Sequence, residues 1–271
     1  MNHARTVMGR LIRQHRRSRT VGLLHRAARF VENAYANVGS DVAENGELEM
    51  LRRLARFNFT TIFDVGANVG DWSIQALTCW PSARAHAFEV AKPTFDTLSA
   101  NIDRQHLGGR AMLNHCGLGD VSGARTMYYY PDHPELTCAE SRHEGFAATE
   151  FSADIMTGDC YVRRAGIDHI DFLKIDVEGA EHLVLDGLSA TISQGRVGCI
   201  QFEYGAFSIT SRFLLHDYYG LLGPRYWIGK IFPTGVEFQD YSWTNEDFRF
   251  ANYLCVSRDR SDVKRAAENL L

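Results

Sequence analysis

Five carboxylates, Asp64, Glu89, Asp176, Glu178 and Glu203, each end a short apolar run of the chain or stand just beyond one. Acids at the carboxyl ends of buried strands reach a crevice. The first opens Asp64-Val-Gly66-Ala67-Asn68-Val-Gly70. A glycine at 66 allows a sharp turn and close approach of a ligand to the backbone. Gly70 permits tight packing where a helix starts. The spacing is Gly-x-x-x-Gly, not the GxGxxG of dinucleotide sites, and Asp64 would repel a pyrophosphate. It suits instead a ligand with a cationic amine. Glu89, 25 residues beyond Asp64, ends the next strand, where an acid accepts both hydroxyls of a ribose. A nucleoside with an amino-acid tail meets both demands, and S-adenosylmethionine is such a molecule.

The second group is Lys174-Ile-Asp176-Val-Glu178-Gly-Ala-Glu181-His182. Asp176 ends a strand and Glu178 lies just past it. Glu178 and His182 are four apart, the spacing of one helix face. Glu203 ends the following strand, and its loop should open on the same side. Transfer of a group to a hydroxyl gains from a base that removes the proton as the bond forms, a task for carboxylate or histidine. The oxygens of Asp176 and Glu203 are also the donors that Mg²⁺ or Ca²⁺ takes. The plainer reading pairs Lys174 with an acid and leaves Glu181 solvated.

The segments that must position these groups follow from periodicity. Leu48, Leu51, Leu54 and Phe57 predict a helix over 42–57. Short β-branched or apolar runs predict strands at 60–65, 83–89, 111–116, 125–130, 171–176, 197–203, 225–231 and 253–257. Helices are expected at 71–79, from Pro93 to 102, at 159–165, at 180–186 closed by Gly187, and at 212–222. The polar stretch 131–153 reads as a long loop, a candidate lid. Strand and helix alternate from about 60 to 205, which requires a mostly parallel sheet with helices on both faces, an α/β Rossmann-like fold.

Hydrophobic residues make up 45% and charged residues 23% of the 271, which excludes a disordered chain. No apolar run is long enough to span a membrane and no signal peptide is evident. The expected location is cytoplasmic, with peripheral membrane attachment as a further option. Six cysteines stand singly without a CxxC pair, so free thiols in a reducing compartment are expected. The net charge of −4 resolves into +8 on residues 1–31, which hold eight arginines and no acid, and −12 on residues 32–271. An acidic body argues against a nucleic-acid partner. Residues 1–41 read as a basic, helical extension and 42–271 as one catalytic domain. The extension either touches an anionic lipid surface or anionic partner, or is a solvated helix packed on the body. Oligomeric state is not legible.

From Asp64 to Glu203 the chain resembles the FkbM-type family of S-adenosylmethionine-dependent O-methyltransferases. The resemblance rests on Ile-Phe-Asp-Val-Gly-Ala-Asn-Val-Gly (62–70), Ala-Phe-Glu-Val-Ala-Lys-Pro (87–93), Gly117-Leu-Gly-Asp120 and Asp-Phe-Leu-Lys-Ile-Asp-Val-Glu-Gly-Ala-Glu (171–181). Gln201-Phe-Glu-Tyr-Gly205, Ser211-Arg212 and residues 247–254 resemble members associated with glycan modification. Val90 stands where the family often has proline. The resemblance implies a seven-stranded sheet and methyl transfer to a hydroxyl, that of a sugar in a glycan or glycolipid, or alternatively of a polyketide or other natural product. Asp64 with Gly66, Ala67, Asn68 and Gly70 would hold the methionine end, Glu89 and Val90 the ribose, and Gly117 and Leu118 the adenine. Asp176 and Glu178 would lie near sulfur and acceptor, with Glu203 as a further catalytic carboxylate. Tyr204, Ser211, Arg212 and His182 would shape the acceptor side. An NAD-linked oxidoreductase is disfavoured by Asp64 and the missing GxGxxG; a non-catalytic binding protein is disfavoured by the intact motifs.

Overall fold

The structure, a computed structural model, describes residues 2–139 and 145–268. The chain divides into two compact units, Met1–Gly39 and Ser40–Leu271. The first consists of α1 (Asn2–Gln14) and α2 (Arg19–Tyr35). Ser18 caps α2, its hydroxyl accepting from the Val21 N–H at 3.3 Å, which satisfies one of the helix's orphan donors.

In the second unit α3 (Glu47–Leu54) precedes β1 (Thr61–Val65), α4 (Asp71–Cys79), β2 (Arg84–Phe88), α5 (Lys92–Arg104) and β3 (Ala111–Asn114). Next come β4 (Gly117–Leu118), β5 (Gly123–Tyr129), β6 (Thr149–Met156), α6 (Gly158–Ala165), β7 (Ile170–Ile175), α7 (Glu181–Gly187) and α8 (Ser189–Ser193). The chain closes with β8 (Val197–Tyr204), α9 (Phe207–Ser211), α10 (Leu215–Leu222), β9 (Tyr226–Phe232), β10 (Gly235–Phe238), β11 (Ala251–Ser257) and α11 (Ser261–Ala267).

Eight strands form one sheet in the order β10-β9-β11-β8-β7-β1-β2-β3. The five from β3 to β8 run parallel, while β11 is antiparallel to both its neighbours and β10 to β9. The β9–β10 hairpin adds an edge strand at Gly235–Phe238. β4, β5 and β6 form a second, small sheet. β6 takes in residues 149–153, the end of the stretch expected to be a loop, and pairs antiparallel with β5 from Gly123 to Tyr129. Its alternation is masked by the polar residues of an exposed strand. Residues 140–144 of the candidate lid lie outside the described residues.

Side chains alternate across a strand, so the sheet has two apolar faces. Ile62 and Phe172 pack with Leu51 of α3, Leu77 of α4, Leu98 of α5 and Val263 of α11. Phe63 and Leu173 face the other way, onto Val162 of α6, Leu185 of α7 and Leu215 of α10. The strand order reverses between β1 and β7, the place where open α/β sheets form their crevice. Gly66 makes that junction tight. Its φ is +81°, and a Cβ there would lie 1.7 Å from the Asp176 carbonyl oxygen.

Candidate active site

A cavity of about 450 Å³ opens at the carboxyl ends of β1, β2, β7 and β8, a volume in the range of small-molecule sites. Gly66, Ala67, Asn68, Glu89, Val90, Gly117, Leu118, Asp176, Glu178 and Glu203 all line it. Seven acidic residues (Glu47, Asp71, Glu89, Glu135, Asp176, Glu178 and Glu203) face two basic ones, Lys174 and Arg125. That balance suits a cationic ligand.

Glu89 sits at the end of β2 and is fixed by backbone. The Asn68 N–H donates to one carboxylate oxygen at 3.0 Å and the Ala91 N–H to the other at 2.8 Å. Each oxygen keeps a lone pair for a ribose hydroxyl. Burial pushes the Glu89 carboxyl up to about 7 against the pull of those N–H donors. Beside it, Val90, Leu118, Met127 and Ile155 form an apolar wall suited to a flat heterocycle. Gly117 keeps that wall thin: a Cβ there would meet Ile155 at 2.7 Å and Val90 at 2.9 Å.

A polar row crosses the sheet beneath the cavity. Asp64, Lys174 and Gln201 are register partners on β1, β7 and β8, so they project from one face. The Lys174 ammonium donates to Asp176 at 2.7 Å, lies 3.8 Å from Asp64, and sits 5.9 Å above the Trp72 ring. Burial disfavours its charge, but Asp176, Asp64 and Glu47 together hold it above the ordinary lysine range. Glu47, the first residue of α3, closes the row. It accepts from Asn45 at 2.7 Å, Gln201 at 2.5 Å and Asn252 at 3.1 Å.

Three carboxylates converge beyond the carboxyl ends of β7 and β8. Oxygens of Asp176, Glu178 and Glu203 lie within 4.8 Å of one another. Glu203 is 6% exposed, and its Oε2 has no hydrogen-bond partner among the described residues. Burial, then Asp176 and Glu178, raise its carboxyl well above the usual range. An all-carboxylate set matches a hard divalent cation, which would share Asp176 with the Lys174 ammonium.

Several residues expected at the site stand elsewhere. Asp64 is fully buried and does not line the cavity; the Ser73 hydroxyl donates to it at 2.6 Å. It ties α4 to the sheet, because it stands one residue before the strand end. Gly70 also lies off the cavity, capping α4 at φ +92°. Glu178 and His182 do not share a helix face: α7 starts at Glu181, and Glu178 precedes it with φ +54°. His182 stacks on Phe213 with ring centroids 4.9 Å apart. Tyr204 donates its hydroxyl to Glu246 at 2.8 Å, while Ser211 and Arg212 end α9; none of His182, Tyr204, Ser211 and Arg212 lines the cavity. Glu181, read as solvated, is fully buried and accepts the Val177 and Gly179 N–H groups. Sequence reasoning missed Glu47, Trp72, Arg125, Met127 and Phe250, while Pro134, Glu135, Thr137 and Ala139 of the candidate lid do line the cavity.

Residues 64–221 match the family described as the methyltransferase FkbM domain. The 31-O-demethyl-FK506 methyltransferase FkbM of Streptomyces tacrolimicus is 32% identical over 47% of this chain and 58% of its own length. The hexuronic acid methyltransferase AglP of Haloferax volcanii is 28% identical over 66% of this chain and 72% of its own. A solved structure of a methyltransferase FkbM from Methylobacillus flagellatus KT is similar with a TM-score of 0.48, at 18% identity over 74% of this chain and 44% of that one. The chain thus spans little more than half the length of the first of these relatives. With more than half of its residues inside the family match, the chain belongs to the FkbM methyltransferase family, whose methyl donor is S-adenosylmethionine.

Proposed function

We propose that this protein transfers a methyl group from S-adenosylmethionine to a hydroxyl oxygen of a saccharide. The observation that carries the reading is the convergence of Asp176, Glu178 and Glu203 on a cavity whose far wall holds Glu89. When bound, the donor supplies an electrophilic methyl on a sulfonium. Glu89 would accept the ribose hydroxyls, and Val90, Leu118 and Met127 would line the adenine. The acidic wall favours the sulfonium and the amine. Glu203 Oε2, buried and without a partner among the described residues, would accept the acceptor's hydroxyl proton as the oxygen takes the methyl group and the sulfur leaves as a neutral thioether. Lys174 holds Asp176 in place, and much of the rate gain is alignment of oxygen, methyl and sulfur.

The saccharide is supported by the AglP relative, named for a hexuronic acid. The FkbM relative, named for a demethyl natural product, favours a polyketide hydroxyl as the second reading. The test is mass-spectrometric detection of S-adenosylhomocysteine and the methylated product, with a uronic-acid oligosaccharide and a polyketide hydroxyl offered side by side. A product with the first alone supports the proposal, and one with the second alone moves it to the second reading. Glu203→Gln should lower kcat by about 10²–10⁴-fold with donor affinity within about twofold, since Glu203 contacts only the acceptor in this reading. Unchanged turnover removes Glu203 as the base.

A further inference from the structure

The first unit carries an apolar surface that nothing in it covers. On α2, Val21, Leu24, Ala28, Val31 and Tyr35 recur at three- and four-residue intervals, and Leu23, Ala27, Phe30 and Ala34 widen the stripe to about half the circumference. Arg19, Arg26 and Arg29 occupy the opposite half. No residue of α2 is buried; Leu23 is 60%, Phe30 74% and Tyr35 88% exposed. On α1, Val7, Met8, Leu11 and Ile12 share a side and are all exposed, with Arg10 and Arg13 opposite. A contiguous exposed apolar face of this size marks an interaction surface.

We infer that this unit adsorbs to an anionic lipid bilayer, with α2 in the interfacial plane and its apolar half toward the acyl chains. Charge complementarity selects that occupant. Residues 1–31 hold eight arginines and no acid, a single-sign surface that matches anionic headgroups. Arginines flanking the stripe extend their apolar stems along it and keep the guanidinium at headgroup level. A wide apolar face, an arginine-rich polar face and modest overall hydrophobicity define a helix that lies on a membrane. None of the described helices is long and apolar enough to cross one. A second copy is a poorer occupant, because it would set one arginine-rich unit against another.

The test uses the full chain and sedimentation with vesicles of phosphatidylcholine alone or mixed with phosphatidylglycerol. The chain should partition onto the mixed vesicles, and partition should fall as salt rises from about 0.1 M to about 0.5 M, where the screening length shrinks. The double variant Arg26→Gln with Arg29→Gln, which keeps helix propensity, should lose about fivefold in partition for each arginine removed. The triple variant Leu24→Ser, Phe30→Ser, Val31→Ser should lose the salt-resistant remainder, with circular dichroism reporting the helix content of both variants. Absence of partition onto mixed vesicles overturns the inference, as does equal partition onto phosphatidylcholine alone. A lipid-free dimer by light scattering that Phe30→Ser dissociates would assign the face to a second copy instead. None of these readouts depends on methyl transfer.

Discussion

Lys174→Met should be among the most damaging substitutions of the buried site, and its effect should depend on pH. Among the described residues the ammonium is the one cation in contact with Asp64 and Asp176, and its side chain is 7% exposed. Methionine preserves the stem but leaves these carboxylates without a counter-charge. Breaking a buried pair by removing one partner costs about 3–5 kcal/mol, a large share of a domain stability of about 5–15 kcal/mol. For a chain of this size that is a fall in Tm of roughly 6–20 °C. Burial already raises the carboxyls of Asp64 and Glu47 above their ordinary values, and loss of the cation raises them further. A carboxyl whose folded pKa lies above its unfolded value favours the folded state below that pKa, and this contribution is lost as pH rises through it. The variant's deficit should therefore be largest at pH 7.5 and shrink toward pH 5.5. Urea denaturation of both proteins at the two pH values measures it. A deficit below about 1 kcal/mol, or one of equal size at both pH values, would refute the charge argument and leave only packing.

Two further outcomes follow from the same geometry. Glu89→Gln should weaken S-adenosylmethionine binding by about 10–100-fold, the value of a charge-assisted hydrogen bond, measured by calorimetry. Because the Glu89 carboxyl is pushed up to about 7, wild-type affinity should drop as pH falls from 8 to 6 and that dependence should vanish in the variant; an unchanged slope would sink the ribose role. Chelation with EDTA should leave turnover within about twofold, because the Lys174 ammonium already neutralises Asp176 at 2.7 Å. A tenfold loss restored by Mg²⁺ would make Asp176, Glu178 and Glu203 ion ligands.

The strands and their acidic ends were legible because a parallel sheet buries both faces: β1, β7 and β8 are nearly unbroken apolar runs, and the residues that interrupt them must serve a purpose. What escaped depends on tertiary placement. Glu47 follows Asn-Gly and stands two residues before another acid, the pattern of a solvated first turn, and only the docking of α3 against Gln201 and Asn252 buries it. Asp64 looked like a ligand group because it precedes the glycine turn, whereas the pleat turns it into the core. The helical pairing of Glu178 with His182 failed because the chain passes through a left-handed residue before α7 begins. The cavity wall at Pro134–Ala139 carries no periodicity, so its polarity marked it as a loop over the site but did not say which residues line the cavity.

The order of strands also says what can be cut away. A fragment trimmed to the family match, residues 64–221, would keep the glycine turn and the three clustered carboxylates, yet lose Glu47 and Phe250 from the cavity wall. It would also lose β9, β10 and β11. β8, buried at every one of its eight residues, would become a bare hydrophobic sheet margin, the template on which chains stack edge to edge. Such a fragment should precipitate rather than fold. In this chain the family match is therefore narrower than the sheet it belongs to, and β9–β11, which lie outside that match, are expected to keep the margin of β8 covered.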